Sequence, residues 1–166
     1  DAIEESMVTE AQECTLDLLE HLHDVIVNNP NLNIPLIFIR VRSVKQFEEF
    51  SGMLRKNHIS VLAGFNFPKF NSQNGVAYFE ILKSLALKHN EVLYGMPILE
   101  DDDVIFKETR LYELDKIQKI LSEYQEYVLN IRVGGTDFSS RYGLRRDVKN
   151  TIYDLKVIAD CLMDIL

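Results

Sequence analysis

The sequence predicts an α/β protein built on a parallel sheet, and three observations carry that expectation. Segments with helical periodicity alternate with short apolar runs rich in β-branched and aromatic residues. No two-residue turn joins one apolar run to the next, so hairpins are not indicated. No flexible linker or low-complexity tract interrupts the pattern, so residues 1–166 read as a single domain.

Residues 4 to about 28 read as a helix, with Val8, Ala11, Cys14, Leu18, Leu22 and Val25 at three- and four-residue steps. "NNPNLNIP" stops it. "LIFIRVR" has the composition of a buried parallel strand. Ser43 and Gln46 suit a capping box for a helix whose inner face is Val44, Phe47, Phe50 and Leu54. "ISVLAGFNF" is a second strand, ended by Pro68, and the next helix turns Val76, Phe79, Leu82 and Leu85 inward. "EVLYGMPIL" is a third strand, followed by a helix with Leu111, Leu114, Ile117, Leu121 and Tyr124 inward. "YVLNIRV" is the fourth strand, and a last helix uses Val148, Ile152, Leu155, Ile158, Leu162 and Ile165.

One helix and four βα units imply right-handed crossovers. Two architectures satisfy that pattern, an open doubly wound sheet and a (β/α)8 barrel. A complete barrel typically takes ~250 residues, so this chain holds only part of one.

The formal net charge is -8, which gives no electrostatic support to binding nucleic acid or an anionic membrane. No apolar run approaches the ~20 residues of a membrane helix. "DAIEES" has no secretion-signal character, and the missing initiator Met points to a start inside a longer chain. Cys14 and Cys161 are expected as buried, reduced thiols, consistent with the cytoplasm. His21 and His23 are two apart on a helix and do not face one another. His58 and His89 fall at strand starts and read as structural. Neither a phosphate-loop fingerprint nor a Gly-x-Ser-x-Gly elbow is present.

The chemistry concentrates at the strand ends. Arg40 (with Arg42), Lys69, Glu100 and Asp137 follow the four strands in turn, spaced roughly thirty residues apart, about one βα unit. Parallel strands gather them at the carboxyl-end rim, where α/β folds bind ligands. Two carboxylates suit a hard divalent cation, and two cations suit an anionic substrate. Alternation puts Leu36, Phe38, Arg40 and Arg42 on one face, and Val92, Tyr94, Met96, Ile98 and Glu100 on one face of the third strand. Asn130 and Arg132 share a face of the fourth, which an inert core would not choose. Gly134 and Gly135 permit close backbone approach to a ligand, or positive φ. Asp101 to Asp103 suit a helix N-terminus. Arg141, Arg145 and Arg146 either bind a phosphate or pair with acidic neighbours at a helix start, and the sequence leaves both open.

At these residues the chain resembles the citrate lyase beta-subunit and malyl-CoA lyase family of TIM-barrel carbon–carbon lyases. "IRVRS", "AGFNFPKF", "PILE" and "GGTDFSSRYG" stand where that family has Arg-Val-Asn, Gly…Pro-Lys, a strand-ending Glu and Gly-x-x-Asp-(Phe/Leu) with a later Gly. "DAIEES" is similar to the segment after the family's second strand. The resemblance implies a partial (β/α)8 TIM barrel, strands three to six with helices two to six, with the other four strands outside this sequence. It implies that Glu100 and Asp137 ligate Mg²⁺, with Asp1 near the metal orienting its waters. Arg40 would grip a substrate oxygen and Lys69 would line the site without forming a Schiff base, these two being the catalytic cations. Arg42, Gly134, Gly135 and Arg141 complete the expected substrate-binding set. The implied reaction is retro-aldol or retro-Claisen cleavage, or its reverse, on a small anionic 2-oxo acid or acyl-CoA thioester, in a homo-oligomer. Arg42 stands where the family has Asn, "EDDD" replaces Glu-Thr-Ala, and "SSRYGLRR" is more basic than usual. Those departures motivate the alternative of an accessory barrel that binds an anionic metabolite or a partner subunit.

Overall fold

Four short parallel strands lie side by side in chain order: β1 (Phe38–Arg40), β2 (Gly64–Phe67), β3 (Tyr94–Leu99) and β4 (Arg132–Val133). The computed structural model describes residues 5–145 and 147–166, without the side chains of Glu5 and Ser6. A doubly wound sheet reverses its strand order at a switch point. This sheet never reverses, so it is a sector of a barrel, not the open alternative.

The register sorts the side chains into two faces. Arg40, Asn66 and Met96 are aligned neighbours, as are Ile98 and Arg132, so they share one face with Phe38 and Tyr94. The opposite face carries Phe65 and Phe67, both fully buried. Helices α2 (Val44–Met53) and α4 (Gly75–His89) cover it. The Phe47 ring lies 4.7 Å from Phe65, and Tyr78 stacks on Phe67 at 4.6 Å. Helix α6 (Lys107–Glu123) lies beside α4, where Tyr124 at its C-cap stacks on Phe79 at 5.2 Å. The aromatic layer is the core, and the face away from it is the barrel lumen.

Local signals act largely as the sequence predicts. Ser43 Oγ accepts from the Gln46 amide at 3.2 Å. Gln46 Oε1 accepts from the Arg42 N–H at 3.1 Å, one residue earlier than a capping box requires. Asn90, in the left-handed conformation at φ 55°, ends α4. Among the described residues no helix is long and apolar enough to cross a membrane.

Several expected details are corrected by polar interactions that periodicity does not register. In α1 (Glu5–Asn28), Leu19 is buried, while Ala11, Cys14 and Leu18 are exposed. The rotation follows the polar ties of α1 to α3 (Lys56–Ile59). Glu20 accepts from Asn57 at 3.0 Å and lies 2.9 Å from His58 Nε2, and His23 bonds Ser60 at 2.9 Å. Cys14 is therefore an exposed thiol, and of the two expected buried cysteines only Cys161 is one. His58 sits in α3 rather than at a strand start, and its Nδ1 accepts from the Arg55 N–H at 3.2 Å. Val76 lies outside the inner face of α4, where Tyr78 points in instead.

In α6 the expected Ile117 is buried and Leu114 and Leu121 pack against the core, but Arg110 and Glu113 are buried beside them and Leu111 is 65% exposed. Arg110 is 1% exposed. It donates to the carbonyls of Val104 and Ile105, at 2.8 and 2.7 Å, and pairs with Asp164 at 2.8 Å. Those carbonyls end α5 (Asp102–Ile105), and Asp164 lies on α8 (Lys156–Ile165). Glu113 accepts from Ser72 Oγ at 2.9 Å and secures the loop before α4. The last helix is shorter than expected, because Asp147 forms an Asx turn with the Lys149 amide at 3.0 Å. Val148 is left fully exposed, and Thr151 with Asp154 starts the chain again. Strand β4 spans two residues where seven are expected, preceded by a 3-10 turn at Gln125–Tyr127.

Replacing Arg110 with Met strands two helix-end carbonyls and leaves Asp164 without its partner. The expected loss is about 3 kcal/mol or more of unfolding free energy in urea. A loss under about 1 kcal/mol would contradict the role assigned to Arg110.

Candidate active site

Glu100 is the first residue after β3, and alternation along that strand turns its side chain to the lumen face. It is 6% exposed. Its Oε1 accepts from Arg40 Nη2 at 3.0 Å and from the Lys69 backbone N–H at 3.2 Å. Arg40 reaches it from β1, across the width of β2. Lys69 presents its amide because its backbone is left-handed, φ 48°, just after Pro68 ends the strand. The sequence predicts the Lys69 side chain at the site; the contact formed is made by its main chain.

The fourth contribution comes from the loop after β4. A Cβ on Gly134 would meet Glu100 Cβ at 2.6 Å and its Oε2 closer still. Gly134 has an ordinary φ of -82°, so the requirement is for space rather than for backbone freedom. The following residues form α7 (Gly135–Arg141), with Asp137 in its first turn. Asp137 lies near enough to Glu100 for its charge to act on that carboxyl. Burial pushes the Glu100 carboxyl above its ordinary value, Arg40 and the Lys69 N–H oppose that, and the charge of Asp137 reinforces it. Two carboxylates from adjacent βα units thus converge at the lumen mouth.

The remaining expected residues fall elsewhere. Gly135 makes room for the Ile152 side chain, which a Cβ there would overlap. Arg141 pairs with Asp102 at 2.8 Å on the surface, so it joins its acidic neighbour, as the second of the two readings left open. Arg145 is exposed, and Arg146 and Asp1 lie outside the described residues. Arg42 is exposed and lines a groove of about 500 Å³ beside α1, with Thr9, Gln12 and Lys45. Asp101 caps α5 by accepting from the Asp103 amide at 3.3 Å, and Asp102 and Asp103 form its first turn.

Asn66 is a lumen residue that the sequence reading passes over. It is buried, and its Oδ1 accepts from Arg132 Nη1 at 3.0 Å. Its signal was the lone polar residue of "GFNF", set between two phenylalanines that face the helices.

The sequence model of one protein family, described as C–C bond lyase of the TIM-barrel fold, matches residues 1–166. The chain belongs to that family. No curated protein and no solved structure matches it. For a C–C bond lyase of this fold, the carboxyl-end rim is where the barrel places its chemistry. That is the end at which Arg40, Lys69, Glu100 and Asp137 meet.

The raised pKa of Glu100 has a consequence for stability. Its ionised form is disfavoured in the folded state, so its contribution is most favourable below the unfolded carboxylate pKa and declines as pH rises toward the folded value. In metal-free buffer, Glu100→Gln is expected to melt higher than the wild type at pH 7 to 8, with the difference closing below pH 4. Equal melting temperatures across that range would contradict the strained carboxylate.

Proposed function

We propose that this C–C bond lyase is Mg²⁺-dependent and of the citrate lyase beta-subunit type. It cleaves or forms a carbon–carbon bond in a small 2-oxo acid or acyl-CoA thioester, by retro-aldol or retro-Claisen chemistry. The observation that carries the reading is the buried Glu100 carboxylate, close to Asp137 and held by Arg40 at the lumen mouth.

The donor set suits the ion. Among the described residues no group of three or more His, Cys, Asp or Glu side chains forms a metal cluster, so an all-protein cage is not on offer. Mg²⁺ does not need one, because it keeps several waters and takes one or two carboxylates plus substrate oxygens. Glu100 and Asp137 supply the two carboxylates, and a bound dication would offset both the burial that chiefly raises Glu100 and the smaller repulsion from Asp137. Asp1, from the segment before α1, is assigned to its water shell. A bound Mg²⁺ would contribute positive charge where negative charge develops on the substrate oxygen as the bond breaks.

The chain's own residues do the rest. Arg40 uses one nitrogen on Glu100 and keeps its other donors for a substrate carboxylate or carbonyl. Lys69 fixes Glu100 through its amide and adds its charge at the rim. Gly134 leaves the space in which Glu100 sits, and Gly135 seats the loop against Ile152. Arg42 and Arg141 suit the charged tail of a CoA thioester approaching over the surface, Arg141 by exchanging Asp102 for a phosphate. A cytoplasmic homo-oligomer completes the proposal.

The accessory-barrel reading draws support from the Arg141–Asp102 pair, which ties up one expected substrate cation. Turnover separates the two readings. Calorimetric titration of Mg²⁺ should show binding in the wild type and at least ten-fold weaker binding in both Glu100→Gln and Asp137→Asn. Cleavage of a panel of 2-oxo acids and thioesters should require the metal and vanish in the same variants. Unchanged Mg²⁺ affinity in both variants removes the metal site, and binding without turnover on any substrate leaves the accessory barrel.

A further inference from the structure

The loop after β2 is clamped more tightly than a link into a helix requires. Lys69 is left-handed at φ 48°, a strained conformation for a residue with a Cβ. Its N–H donates to Glu100 Oε1 at 3.2 Å. Its carbonyl accepts from Asn74 Nδ2 at 2.9 Å, and the N–H of the same peptide, that of Phe70, donates to the Ile98 carbonyl at 3.1 Å. With that peptide held at both its carbonyl and its N–H, the left-handed turn cannot relax, and the Lys69 amide stays on Glu100.

Asn74 does not serve its own helix. It stands at the N-cap of α4, where an asparagine ordinarily accepts from an amide of the first turn, yet its side chain makes no such bond. Its Oδ1 accepts instead from the Asn71 N–H at 3.0 Å. A main-chain N–H can only donate, so the side-chain amide is fixed with Nδ2 toward Lys69. Asn71 completes the clamp. Its Oδ1 accepts from the Gln73 and Asn74 amides, both at 3.0 Å, and its Nδ2 donates to Asp101 Oδ2 at 3.2 Å. Asp101 directly follows Glu100, so one loop holds both the carboxylate and the strand end that carries it. A turn needed only to enter α4 would take a glycine at position 69, which adopts this conformation without help. Here a residue with an exposed, charged side chain is held in that conformation by two asparagines, and the amide it directs is the one on Glu100.

We propose that Asn74, supported by Asn71, is a positioning residue of the site: through the Lys69 main chain it keeps an N–H donor on Glu100 and so fixes how that carboxylate is presented. The donors from Lys69 and Arg40 converge on Oε1, which turns Oε2 toward Gly134 and the loop that carries Asp137. This rests on the reading of Glu100 as the metal-binding carboxylate and deepens it. Asn74 acts through Lys69, not on the ligand.

Amide hydrogen exchange followed by NMR on the full chain tests the clamp, and titration of Mg²⁺ tests its consequence. Asn74→Ala should lower the protection of the Lys69 amide about ten-fold, the effect of one lost hydrogen bond, while the amides of β2 keep theirs. Asn74→Asp keeps the acceptor for Asn71 and removes the donor to Lys69. It should expose the Lys69 amide equally and leave the Asn71 amide protected. Mg²⁺ should bind Asn74→Ala about five- to ten-fold more weakly than the wild type. In a Lys69→Gly background the same substitution should change Mg²⁺ affinity less than about two-fold, because glycine holds the turn unaided. Plain support of the fold would cost the same in both backgrounds. Thermal melts verify that each variant folds, and Asn74→Asp carries the test if Asn74→Ala does not. Lys69 protection unmoved by both substitutions, or an Mg²⁺ penalty equal in the two backgrounds, overturns the role of Asn74 and leaves the metal reading intact. Failure of the wild type to bind Mg²⁺ overturns that reading, and the exchange rates then decide the clamp alone.

Discussion

The structure turns on a carboxylate held where water cannot easily reach it. Glu100 is placed by alternation along β3, kept by an arginine two strands away and by a main-chain amide, and admitted only because residue 134 lacks a side chain. Each partner comes from a different βα unit. The contact therefore exists only if all four strands hold their parallel register, and the fold and the site are one constraint seen at two scales.

Such a carboxylate is costly to a metal-free protein. Burial and the nearby Asp137 both disfavour its charge, and the Arg40 pair offsets this only in part. A chain under selection for stability alone would place an apolar residue there. The expense is tolerable because the layer beneath is secure. Phe47, Phe65, Phe67, Tyr78 and Phe79 interlock between β2 and its flanking helices. On the other side of α6, Arg110 binds the helix-end carbonyls of the segment that directly follows Glu100. The rigid layer holds the strained one in position.

Much of this was legible in the sequence, because strand alternation and βα spacing are strong signals. Arg40 and Glu100 fall on one face by counting alone, and the Gly-Gly before Asp137 marked the close approach that Gly134 makes. What escaped was polar. Arg110 and Glu113 bury themselves in α6 against its apolar pattern, because each satisfies main-chain or hydroxyl groups that no periodicity reveals. The ties from Glu20 and His23 rotate α1 away from its apparent face. Lys69 arrives at the site through its amide, since a left-handed φ is not written in the residue type. Asn66 was visible as an odd residue in an aromatic strand, but its partner lies 66 positions away.

The central claim is that Glu100 and Asp137 close on one shared cation. Crystals grown with Mn²⁺ in place of Mg²⁺ test it most directly, through the anomalous signal of the metal. The account requires a single strong peak between the two carboxylates at the lumen mouth, beside Arg40. A peak bound elsewhere, or none at saturating metal, would contradict it.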